Sequence, residues 1–190
     1  EFYELSAQQN NSNALCILGD IYRNGERVRK DIVKAREYYE LAAKDNNADA
    51  LDHLGNIYNF GQGVEKDYVK AKHFYELSAE QNNADALYSM GYYYYIGRVV
   101  EKDLNKAAEF YKKSAMQNNS LALNGLGNFY FSNPNIKENV EKGIECYEKA
   151  AKLNNSNAFL NLGNIYLKGN FFIKKDIRKL FCIRVMLKTF

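Results

Sequence analysis

The sequence predicts an all-α protein, a right-handed α-solenoid of antiparallel helix pairs, and three observations predict it. The first is a period. Gly55 returns as Gly19, Gly91, Gly127 and Gly163, and Tyr58 as Tyr22, Tyr94, Tyr130 and Tyr166, every step being 36 residues. A fixed period in this range marks units that bury their apolar faces only by stacking on neighbours. The second is the apolar spacing inside each period, which is helical and occurs twice. The third is the punctuation. A glycine loop separates the two helices of a unit, and a doubled asparagine (Asn46 and Asn47, Asn82 and Asn83) separates one unit from the next.

In chain order, residues 1–12 match the second half of a unit, so the sequence starts in mid-repeat and reads as a fragment of a longer chain. Full repeats follow at 13–48, 49–84, 85–120 and 121–156, with a degenerate one at 157–190, all in a single array. The second repeat is the clearest. Ala50, Leu51, Leu54, Ile57 and Tyr58 lie on one face of a helix that should end near Gly61. The loop Gly61–Lys66 leads to Asp67, a suitable N-cap for the next helix. There Ala71, Phe74, Tyr75, Ser78 and Ala79 form the buried stripe, and Lys70, Lys72, Glu76 and Glu80 a solvated face. Gly55, Ala71 and Ala79 are small enough to let two helix backbones approach, with the tyrosine between them filling the gap.

The first asparagine of each pair suits a left-handed residue closing the second helix. Three pairs carry N-x-S sequons, at Asn10, Asn118 and Asn154. The expected reading is that asparagine serves the turn and the serine after it caps the next helix.

The fourth repeat departs from the pattern. Asn133-Pro134 replaces the glycine that starts the loop, Asn139 the capping aspartate and Gly143 the alanine, so the loop should change shape while the helices persist. The fifth begins normally and then becomes apolar and basic. Leu180, Phe181, Ile183, Val185, Met186 and Leu187 are expected either to dock on the last units, covering Leu160 and Leu167, or to mediate self-association.

Charge and composition narrow the function. The net charge of +3 resides in the tail, where Lys174, Lys175, Arg178, Lys179, Arg184 and Lys188 face only Asp176. The rest of the chain mixes its charges and has no basic stripe, which argues against nucleic acid. No apolar run is long enough to span a bilayer. Cys16 falls at a different position of the repeat from Cys146 and Cys182, and all three read as small apolar fillers in a reducing compartment, so the expected location is cytoplasmic. His53 and His73 have no metal-ligand spacing, His53 reading as a one-off substitution, and no phosphate-cradling glycine motif occurs. No catalytic site, metal or cofactor is expected.

The pattern carried by Ala50, Leu54, Gly55, Tyr58, Gly61, Val64, Asp67, Ala71, Tyr75 and Ala79 resembles the Sel-one-like repeat, a relative of the tetratricopeptide repeat with a longer inter-helix loop. The resemblance covers about residues 1–176, and Asn46, Asn82 and Asn118 stand where the family usually has glycine. It implies a superhelix whose first helices line a concave groove, and adaptor roles in multiprotein complexes.

The expected function is therefore a non-catalytic scaffold gripping a partner protein or peptide in that groove. The candidate contact residues are the column Asp20, Asn56, Tyr92, Asn128 and Asn164, together with Tyr88 and Tyr95, which join Tyr92 on one line of the third repeat facing away from the core. Two alternatives stay open. In one, the array is accessory to a larger enzyme whose catalytic domain lies outside this sequence; in the other, it is structural and self-associates through its tail.

Overall fold

Two compact units divide the chain at residues 102 and 103. The computed structural model describes residues 2–132 and 136–169, and among these there are ten helices and no strand. In the first unit, α1 (Phe2–Gln8) is the half repeat; α2 (Ser12–Asn24) pairs with α3 (Ile32–Lys44), α4 (Ala48–Phe60) with α5 (Tyr68–Glu80), and α6 (Ala84–Ile96) packs on α5. In the second unit, α7 (Leu104–Ala115) packs on α8 (Ser120–Phe131), α8 on α9 (Lys137–Lys152), and α9 on α10 (Ser156–Lys168).

Helix punctuation follows the expected chemistry, with one change of residue. The first asparagine of each pair is left-handed, with φ of 57° at Asn10, 58° at Asn46, 62° at Asn82 and 61° at Asn118 and Asn154. The second asparagine, not the serine, caps the next helix. Asn11, Asn47, Asn83, Asn119 and Asn155 each accept from a backbone N–H three residues on, at 3.0–3.1 Å. Ser12, Ser120 and Ser156 are already the first helical residues. The asparagine wins because it is the residue held in the extended conformation that an N-cap requires.

Between the helices of a pair, Gly25, Gly61 and Gly97 end the first helix in a left-handed conformation, and Asp31, Asp67 and Asp103 cap the second. Two residues beyond those glycines the backbone is left-handed again. Gly63 fills that position in the second repeat, but Arg27 and Val99 adopt it at φ 61° and 60° in the others. A β-branched residue is strained there.

The fourth repeat keeps its helices, as expected, and moves one boundary. α9 starts at Lys137 and runs 16 residues, so Asn139 lies inside the helix instead of capping it. Ile136 stands at the N-cap without a side-chain bond. Asn133-Pro134 and the apolar tail fall outside the described residues, and with them the expected docking on Leu160 and Leu167.

Candidate functional site

In three helix pairs, α2–α3, α4–α5 and α8–α9, a tyrosine ring of the second helix lies against a glycine of the first. A Cβ placed on Gly55 would stand 2.5 Å from the Tyr75 ring; on Gly19, 2.4 Å from Tyr39; and on Gly127, 2.3 Å from Tyr147. The glycine therefore makes room for a flat aromatic face of the second helix, not for a second backbone. These rings are buried, and their hydroxyls reach back across the pair. Tyr39 donates to Asp20 at 2.8 Å, Tyr75 to Asn56 at 3.0 Å and Tyr147 to Asn128 at 2.8 Å.

That geometry decides what the polar column does locally. Asp20, Asn56 and Asn128 each place an oxygen on the tyrosine hydroxyl of their own repeat. Asn56 also donates to Asp52 at 2.8 Å, and Asn128 accepts from Asn161 at 3.4 Å. Asn164 is exposed at the far end of the second unit. Of the three tyrosines, Tyr88 and Tyr92 stack with centroids 6.4 Å apart and planes 24° from parallel. Tyr92 is 40% exposed, while Tyr88 and Tyr95 are half-buried. Burial raises the Tyr88 phenol above its ordinary range, with Tyr92 adding to the effect. The pair is a flat, partly desolvated aromatic surface on α6.

A second group, in the first unit, is denser than the spacing of its residues suggests. Asp20 also receives Arg23 at 2.9 Å and the His53 Nε2 at 3.3 Å, while Arg23 Nη1 lies 3.1 Å from His53 Nδ1. The Cys16 thiol, an Asp20 oxygen and a His53 nitrogen lie within 4.8 Å of one another, which is close enough to consider a metal ion. Arginine can only donate, so Nδ1 accepts and the imidazole proton sits on Nε2, facing Asp20. Burial, with Asp20 and Asp49 adding to it, pushes the Cys16 thiol up to about 12. Asp20, Arg23 and His53 form a hydrogen-bonded network beside that thiol.

Next to it, Asp52 is 4% exposed, and its Oδ1 has no partner among the described residues. Burial, then Asp85 and Asp49, push its carboxyl up to about 7. Sequence reading treated His53 as a one-off substitution and missed this group, because Cys16 and Asp52 share one repeat position and only folding brings His53 and Arg23 against them.

The Sel1 repeat profile matches residues 12–47, 48–83, 84–119, 120–155 and 158–179. The chain belongs to the Sel1 repeat family. Sel1 repeat proteins generally serve as protein-interaction scaffolds and are typically non-catalytic. A Sel1 repeat protein from Oxalobacter formigenes is 33% identical with a TM-score of 0.87, the match covering 98% of this chain and 76% of that one. A protective antigen of uropathogenic Escherichia coli with the same repeat fold is 32% identical with a TM-score of 0.86, covering 97% of this chain and 39% of the antigen. An immunity protein from Pseudomonas aeruginosa, 19% identical with a TM-score of 0.65 over 98% of this chain and 71% of that one, shares the fold. No curated protein matches the chain.

Against the Sel1 pattern, the one-residue differences between repeats become the informative positions. Tyr92 stands where the other Sel1 repeats carry Asp20, Asn56, Asn128 and Asn164, and it adds an aromatic surface to a polar column. No helix among the described residues is long and apolar enough to cross a membrane.

Proposed function

We propose that the chain is a non-catalytic scaffold that holds a protein or peptide partner along its first-helix faces, the expected lining of a Sel1 groove. The observation that carries this reading is the Tyr88–Tyr92 stack, half in solvent on α6. Rigid rings of this kind give large contact area at low entropic cost, and interface energy concentrates on them. Asp20, Asn56, Asn128 and Asn164 supply polar contacts. The first three have already given one oxygen to the fold, so their part is to orient a partner by groups still facing solvent, at about 0.5–1.5 kcal/mol each. Tyr95 extends the aromatic line towards the end of α6.

The test is a binding titration against a partner isolated on the intact array. Tyr92→Ala should weaken binding by at least about 2 kcal/mol with helicity unchanged. Lys70→Ala and Glu76→Ala, on the second helix of the preceding repeat, should leave it unaltered. Wild-type affinity in Tyr92→Ala, with loss in the Lys70 and Glu76 variants, would place the partner on the other face.

A further inference from the structure

The first and second repeats each carry an aromatic stack between their two helices, and the fourth lacks the member from its second helix. In the first repeat, Tyr22 stacks on Tyr38 at 5.6 Å with planes 14° apart, and Lys34 lies 4.1 Å over the Tyr22 ring. In the second, Tyr58 stacks on Phe74 at 5.7 Å and 14°, with Lys70 4.5 Å over Tyr58. The fourth repeat keeps the tyrosine as Tyr130 and the lysine as Lys142, but the ring that should meet Tyr130 is replaced by Cys146.

Where that ring would stand, the second unit has an open groove of about 670 Å³ between α7 and α9. Its floor includes Leu123, Leu126, Tyr130 and Cys146. Its rim carries Lys112, Lys142, Lys149 and Lys152 against the single acidic side chain of Glu145. Lys149 pairs with Glu145 at 2.7 Å, and Lys142 with Glu138 at 2.6 Å. Lys112 and Lys152 are exposed and make no ion pair among the described residues. The groove thus joins an apolar floor with room for an aromatic side chain to a surplus of positive charge.

We propose that this groove binds an acidic peptide and takes one of its aromatic side chains against Tyr130, in the place that Tyr38 and Phe74 occupy in the earlier repeats. The charge of the rim selects the occupant. A run of carboxylates matches that charge, whereas the sequence of the chain's own tail, with six basic residues and one acidic, does not. The four lysines stand around a slot, not on a flat apolar plane, which suits a side chain with carboxylates on either side better than a lipid surface. The site lies on α7–α9 and shares no residue with the polar column and tyrosines proposed above for the first-helix contact surface.

The experiment is fluorescence anisotropy with a labelled peptide of sequence EDEFDEE, a control EDEADEE, and phosphatidylserine vesicles as a separate arm. Wild type should bind the phenylalanine peptide about tenfold more tightly than the alanine one, the worth of one aromatic pair. Cys146→Phe restores the missing ring, so it should raise or preserve the melting temperature and abolish that tenfold preference. The double variant Lys112→Glu and Lys152→Glu, at exposed positions, should weaken binding by about tenfold or more and flatten its salt dependence. It decides the matter should Cys146→Phe fail to fold. Equal binding of the two peptides, full affinity in either variant, or binding to vesicles alone would overturn the proposal. So would self-association of the wild type that Cys146→Phe removes, because a second copy would then occupy the slot.

Discussion

The second and fourth repeats share an inner contact and differ on the outer side of the pair and in the loop between its helices. In both, a tyrosine of the second helix lies flat on a glycine of the first and donates to an asparagine beside it: Tyr75 on Gly55 and to Asn56, Tyr147 on Gly127 and to Asn128. On the outer side, the second repeat has the Tyr58–Phe74 stack, a left-handed Gly61 and the Asp67 cap. The fourth has Tyr130 opposite Cys146, Ser132 at the end of α8 and an uncapped Ile136. The helices survive the change, and α9 is three residues longer than α5. The difference separates what holds a pair together from what clothes it. The inner ring on its glycine is the structural requirement, and the outer skin is free to become a surface.

The strongest attempt to break this distinction removes the inner ring. Tyr75→Ala and Tyr147→Ala should each cost about 3–5 kcal/mol in thermal or denaturant melts, despite the different surroundings of the two rings. A cost below about 1 kcal/mol for Tyr147→Ala would mean that the fourth repeat is held by some other contact.

A subtler probe is a methyl group on the glycine. Gly55→Ala drives a Cβ into the Tyr75 ring and should cost about 1–3 kcal/mol. No described residue lies within 4 Å of the corresponding position on Gly163, and there the same substitution should stabilise α10 by up to about 1 kcal/mol through helix propensity alone. Melting shifts of the same sign for both would end the argument that the glycine exists for the ring.

The smallest effect concerns the caps. Asp67→Ala should cost about 1 kcal/mol, because its carboxylate accepts from the Lys70 N–H at 2.9 Å. Ile136→Asp should instead gain about 0.5–1 kcal/mol by supplying the cap that α9 lacks. If Ile136→Asp leaves the melt unchanged, the start of α9 is fixed by other contacts.

Much of this was legible in the sequence, and the parts that were not share a cause. The period, both helices of each pair, the aspartate caps and the left-handed asparagines follow from local residue chemistry, which position alone reveals. The cap of the first helix was misassigned because Asn11 and Ser12 are both good cap residues. Only the backbone conformation, extended at Asn11 and helical from Ser12, chooses between them. Gly55 was read as a site of backbone approach with a tyrosine filling the gap; the tyrosine, Tyr75, is indeed the neighbour, but its ring and not a second backbone is what the glycine admits. The column from Asp20 to Asn164 was read for its outward groups, while the hydroxyls that claim three of its oxygens belong to the opposite helix. The groove over Tyr130 did leave a signal. Tyr38, Phe74 and Phe110 form an aromatic column that breaks at Cys146, a mark visible only by reading down a repeat position, not along the chain.

The inner contact also has a consequence in time. Each tyrosine hydroxyl finds its acceptor 19 residues back along the chain, and the bond from Asn83 to Asp49, which ties one pair to the next, spans 34. Loop-closure entropy grows slowly with length, and chains dominated by such near contacts fold quickly. Folding can therefore nucleate in any repeat and spread to its neighbours. On the ribosome, the first pair can close its tyrosine onto its glycine while the far end of the chain is still unmade.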